Sequence, residues 1–202
     1  PRPVNGYPRR AVMAVDQIVT PVEVITEHCR YTGLLPTRGQ RVSDILSEPN
    51  TDIVELRETL TSIVGARCTE VRWKHIYLTK GRILMVIPKG GYEAPVHRRT
   101  RYVEKPRYGA MVVLPGTILS GILHLAPRAT PLMLLKGGVS LPGFIGMTDV
   151  TVHNSVHGLD ASQFEVVILR RLAIESVQLT AQPLPRPEAT SEAADRGVLS
   201  LT

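Results

Sequence analysis

Cysteine is scarce in this chain, with only Cys29 and Cys68 among 202 residues. One pair cannot make a disulfide framework, and no CxxC spacing offers a metal cradle. Buried free thiols in a reducing compartment are therefore expected. Aromatic residues make up 4%, so aliphatic side chains must fill any core. No stretch approaches the roughly 18 apolar residues that a membrane-spanning helix needs. The longest apolar runs, such as Ile83–Ile87 and Val166–Leu169, are the size of strands. The opening Pro1-Arg2-Pro3-Val4 has no apolar centre like that of a secretory signal, and a cytoplasmic protein is expected.

What is plentiful points the same way. Hydrophobic residues are 43% and charged residues 21%, ordinary values for a folded chain. The apolar share is rich in Val, Ile and Leu, and its β-branched members favour strands. Gly and Pro number 16 each, which implies many turns and short elements. The net charge of +6 and a sequence pI near 9.6 suit an acidic protein face, an anionic membrane surface or nucleic acid.

Five segments follow from composition. Residues 1–18 form a basic, proline-bearing arm, and residues 19–89 a first patterned block. Residues 90–108 form a basic linker, residues 109–180 a second patterned block, and residues 181–202 a Pro-rich tail. The tail has too little apolar area to offset chain entropy and is expected to be extended or disordered.

The two blocks read as diverged copies. Val22–Ile25 leads to Tyr31-Thr32-Gly33-Leu34-Leu35, and Met111–Leu114 leads to Leu119-Ser120-Gly121-Ile122-Leu123, placing the two glycines 88 positions apart. In each block a Pro-containing loop and a short apolar turn follow, Arg41–Leu46 in the first and Pro131–Leu135 in the second. Asp52–Glu58 is matched by Phe144–Asp149, and Thr69–Tyr77 by Phe164–Ile174. A glycine inside a strand marks a bend or bulge, as small barrels need at their corners. The expectation is an all-β protein of two tandem small barrels, each of about 70 residues and about five strands, packed on one another.

The strand-Gly-strand openings and the endings with a basic pair resemble the Sm-like fold, and the openings also resemble SH3-like barrels. Trp73-Lys74-His75-Ile76 is similar to the hydrophobic-Lys-His-hydrophobic stretch before the last strand of the bacterial RNA chaperone of the Sm class. Leu169-Arg170-Arg171-Leu172-Ala173-Ile174 fills the same place in the second block. The Asp-containing turn that helps that family hold an RNA base has no counterpart after Gly33 or Gly121, and the inserts at 36–49 and 127–143 are long. The resemblance therefore implies the fold and not RNA binding.

Candidate chemistry is sparse. His153 and His157 are four apart, but no third ligand is near, and an exposed polar loop is the plainer reading. His28 and Cys29, as neighbours on a strand, would point to opposite faces and could not couple. The carboxylates, among them Glu55, Glu58 and Asp149, read as solvated. Gly90-Gly91 and Gly137-Gly138 lack any phosphate-loop context and read as turns. No catalytic residue, metal, cofactor or small-molecule substrate is expected.

The distinctive feature is the linker, in which Arg98, Arg99, Arg101, Lys105 and Arg107 alternate with Tyr102 and Tyr108. Arg forks match phosphate and carboxylate, and Tyr can stack on a base. Arg9 and Arg10 beside Tyr7 repeat this chemistry in the arm. The expected function is a non-enzymatic scaffold or accessory subunit that binds other subunits of a larger assembly, including one peripheral to the cytoplasmic side of a membrane. The alternatives are an Sm-like RNA- or DNA-binding protein and, more weakly, a metal-dependent enzyme built on His153 and His157.

Overall fold

A computed structural model describes residues 18–65, 70–90, 105–125, 130–136 and 143–180. The chain is mainly β. Its strands are β1 (Val19–Thr26), β2 (Cys29–Pro36), β3 (Ile53–Ile63), β4 (Glu70–Thr79), β5 (Ile83–Pro88), β6 (Arg107–Leu114), β7 (Thr117–His124), β8 (Phe144–Ser155), β9 (Gln163–Arg170) and β10 (Ser176–Leu179). The short apolar turns after β2 and β7 are helical, α1 (Val42–Leu46) and α2 (Pro131–Lys136).

All ten strands join one open antiparallel sheet in the order β10-β6-β7-β8-β9-β5-β1-β2-β3-β4. The order contains the same pattern twice. In β5-β1-β2-β3-β4 and in β10-β6-β7-β8-β9, the last strand of five pairs with the first. The register repeats as well. Val24 pairs with Val86 and Ile25 with Met85, while Val112 pairs with Val177 and Val113 with Ser176. Among the described residues, strands of the two halves pair at one place, β5 on β9, where Met85 faces Leu169 and Val86 faces Ile168.

The two strand glycines sit at matching bulges. Gly33 of β2 is opposed by both Glu58 and Thr59 of β3, since Thr32 pairs with Leu60 and Leu34 with Arg57. Gly121 of β7 is likewise opposed by Asp149 and Val150 of β8. The extra residue in each case, Glu58 at φ 45° and Asp149 at φ 53°, adopts a left-handed backbone without being glycine. Such a bulge bends its strand and increases the local twist. It lets the long β3 and β8 turn from one neighbour towards the next.

Two apolar clusters form the core. The first gathers Val22, Val24, Leu35, Val42, Leu46, Val54, Leu56 and Val86, and it also takes Phe144 and Ile168 from the second half. The other gathers Val112, Leu114, Leu119, Leu123, Leu134, Met147 and Val167, and it takes Ile25, Leu84, Met85 and Ile87 from the first. This exchange explains why Val22–Ile25 and Ile83–Ile87 are buried without a break. The middle strands have protein on both faces and read as continuous apolar runs instead of alternating ones.

A buried cation opens the short 3-10 turn before the last strand of each half, Lys80 in Lys80–Arg82 and Arg171 in Arg171–Ala173. Lys80 Nζ donates to the carbonyl oxygens of Ile45 (2.8 Å) and Glu48 (2.9 Å), tying the C-terminal end of α1 to the sheet. Burial lowers its pKa from the ordinary lysine value. The stretch Trp73-Lys74-His75-Ile76 lies inside β4, and the turn directly before the last strand is Lys80–Arg82 instead. Trp73 corresponds in register to Phe164, because Thr59 faces Trp73 as Val150 faces Phe164.

Candidate interaction surface

Of the basic segments read from the sequence, Arg9, Arg10, Arg98, Arg99, Arg101 and Tyr102 lie outside the described residues, as does the Pro-rich tail of residues 181–202. Lys105 is exposed just before β6, and Arg107 and Tyr108 begin that strand. Tyr108 is half-buried and packs against the second apolar cluster. Arg107 pairs across the ladder with His124. The His124 pKa is lowered chiefly by burial and then by Arg107 and Lys105.

The histidine pair is split. His153 is exposed on β8 and is hydrogen-bonded to Ser120 Oγ at 2.7 Å. His157 is buried in the turn after β8 and not in an exposed loop. Its pKa is lowered by burial, partly offset by the Pro115 backbone. Four residues do not enforce proximity on an extended chain as they do on a helix. Among the described residues, no three His, Cys, Asp or Glu side chains gather as a metal site. His28 stands in the β1–β2 turn and not on a strand, and Cys29 is a half-buried free thiol at the start of β2.

One carboxylate that the sequence pattern did not single out is buried. Glu23 of β1 is 1% exposed and is ion-paired with Arg30 and with Lys89 Nζ, the latter at 2.7 Å. Lys89 also stands over the Phe164 ring, 5.1 Å from its centre. The pair therefore bridges the two halves beside the β5–β9 contact. A lone Glu in an apolar run, Pro21-Val22-Glu23-Val24-Ile25, was the available signal. On a central strand covered on both faces, the alternate position is buried too.

Among the described residues the exposed chemistry concentrates on β4, the terminal strand of the sheet, which pairs there only with β3. Val71, Trp73 and Tyr77 are exposed apolar groups on it, interleaved with exposed Arg72, Lys74 and His75. Trp73 is the single tryptophan of the chain. It borders a shallow depression with Glu58, Thr59, Leu60, Arg72 and Lys74. Phe164 borders the matching depression with Asp149, Val150, Thr151, Gln163 and Glu165. On β3, Glu55 Oε1 accepts from Arg57 Nε at 3.0 Å and lies 3.1 Å from His75 Nδ1. The Arg57 hydrogen bond is the main cause of the lowered Glu55 pKa.

The opposite end of the sheet is β10, which among the described residues pairs only with β6. Near it Met111 is exposed on β6, and Leu132, Met133 and Leu135 are exposed on α2. Strand edges carry unpaired peptide groups and readily accept another strand. No helix among the described residues is long and apolar enough to cross a membrane. No family model matches the chain, and comparison with curated proteins and with solved structures finds no match.

Proposed function

We propose that the chain is a non-enzymatic scaffold or accessory subunit of a larger assembly. Its two five-strand halves would be tandem small barrels of the Sm or SH3 kind that supply rigid surfaces. The basic arm and linker, with Arg9, Arg10, Arg98, Arg99 and Arg101, would grip neighbouring subunits or an anionic membrane surface. One observation carries this reading: the halves are joined edge to edge through β5 and β9, while β4 keeps an exposed row of aromatic and basic side chains at an edge that no other described strand pairs. Exposed Trp, Tyr and Arg are the groups that anchor protein interfaces.

The test is purification of the tagged chain from its native source. Fixed stoichiometry with defined subunits is expected, together with a blue shift and loss of acrylamide quenching of the single tryptophan when they are bound. Recovery of the chain alone, with Trp73 fully quenchable, would refute it.

A nucleic-acid role is the second reading, favoured by Trp73 between exposed Arg72 and Lys74. It requires binding that weakens steeply with salt and is lost when Arg98, Arg99 and Arg101 become Ala.

A further inference from the structure

The β5–β9 contact is a template for a second contact that the described residues of the single chain leave unmade. Trp73 and Phe164 stand 91 positions apart, and the same spacing relates β4 to β9 and β5 to β10. Leu169 and Ile168, which face Met85 and Val86 at the internal contact, therefore correspond to Leu78 and Tyr77. Met85 and Val86 correspond to Ser176 and Val177, which hold the same register on β6 that Met85 and Val86 hold on β1. Each end of the sheet thus presents one half of a contact already made in its middle.

Resting on the assembly-subunit reading above, we propose that the partner of β4 is β10 of a second copy of this chain. Copies would join head to tail with Tyr77 opposite Val177 and Leu78 opposite Ser176.

Burial at corresponding positions supports this. Phe144 and Ile168 are 6% and 0% exposed because they cross into the first half's core. Their counterparts Ile53 and Tyr77, at the unpaired end, are 56% and 67% exposed. At the other end, Ile25 is buried in the second half's core, whereas its counterpart Val113 is only half-buried and the neighbouring Met111 is 46% exposed. Inside the chain α1 also touches β8. By the same analogy the matching helix α2, whose Met133 is exposed, would meet β3 of a second copy, where Ile53 is uncovered. Apolar surface therefore stands at both ends, on elements that the internal contact shows to be complementary. Because β4 and β10 are different strands, the contact is heterologous and propagates from copy to copy.

The experiment uses the full chain with Cys29 and Cys68 replaced by Ser. One preparation carries Tyr77→Cys and another Val177→Cys. They are mixed, oxidised gently and run without reductant. A mixed disulfide dimer is expected, exceeding by about tenfold that from Tyr77→Cys with Gln178→Cys, because a one-residue step turns the side chain to the other face. Sedimentation of the unmodified chain should give masses above 22.2 kDa that Tyr77→Asp lowers to the single-chain value. Tyr77 is exposed, so that variant should keep the wild-type circular dichroism. Preferential linking of Tyr77→Cys to itself would overturn the head-to-tail register. A chain that stays single at every concentration overturns the inference. If that single chain still binds other subunits, and Tyr77→Asp abolishes their binding, the scaffold reading stands alone; if it binds none, both fall. Amide protection on β4 that disappears when residues 181–202 are deleted would place the chain's own tail there and overturn it as well.

Discussion

Gly121 lies so close to the backbone of Thr148 that a Cβ built on the glycine would stand 2.8 Å from the Thr148 carbonyl oxygen, with the Asp149 carbonyl at 3.0 Å. Gly33 is crowded in the same way, by Thr59 Oγ1 at 2.7 Å and the Arg57 carbonyl at 3.0 Å. In both halves the bulge on the longer strand presses its backbone against the glycine.

Gly121→Ala should therefore destabilise the chain by about 1–3 kcal/mol, as overpacking does, because a carbonyl of the ladder cannot swing aside. Gly33→Ala should cost less, since the nearest atom there is a hydroxyl that can rotate. Urea unfolding midpoints of the two variants check the order. Equal midpoints for both variants and wild type would show that the bulges tolerate a side chain.

Glu23 should be more costly to strand than to keep. Replacing Arg30 and Lys89 together by Met leaves a buried carboxylate without its cations, and a loss of roughly 3–5 kcal/mol is expected. Either single replacement should cost clearly less, because the other cation remains. A double-mutant cycle in chemical denaturation measures this, and simple additivity of the two singles would contradict it.

Lys80→Met should loosen α1. The substitution removes two charge-assisted hydrogen bonds to the Ile45 and Glu48 carbonyls, each contributing a net of about 1.5–3 kcal/mol when the group is charged. Hydrogen exchange should accelerate in residues 42–48 before it does in β6–β10.

Acid should weaken the fold near neutrality. His124 and His157 both have pKa values below the ordinary 6.5, burial being the first cause. Between that value and their lowered folded-state values, the unfolded chain binds more protons than the folded one. Stability therefore falls as pH drops below about 6.5, by less than about 1.4 kcal/mol per pH unit for each group. His157→Gln should flatten the slope of unfolding midpoint against pH between neutrality and pH 5. An unchanged slope in that variant and in His124→Gln would exclude both groups as its source.

Much of the strand framework was legible beforehand. The β-branched runs and the turn residues around them located the strands, and Gly33 and Gly121 marked bends that are bulges. The correspondence of Glu58 with Asp149 was also readable. The alignment of the later strands was not. Two basic pairs, Lys74-His75 and Arg170-Arg171, suggested equivalence by composition, yet the first lies within β4 while Arg170 ends β9 and Arg171 opens the turn that follows. Side-chain type is a weaker guide to register than the pairing of neighbouring backbones. The sequence pattern does not single out Glu23, because on a half-covered strand the position between Val22 and Val24 would be exposed. The basic residues drew attention to the linker, whereas the described surface concentrates its exposed aromatic and basic groups on β4.

The residues by themselves determined that this chain is built of short β-strands and tight turns, because backbone preference and local apolar pattern act over a few positions. They also determined the internal likeness of its two halves. Only the tertiary structure decided that β5 lies on β9, that Val22–Ile25 is enclosed on both faces, and that β4 and β10 are left as the ends. Those outcomes depend on which distant edges meet, and peptide groups on a strand edge are chemically alike whatever side chains they carry.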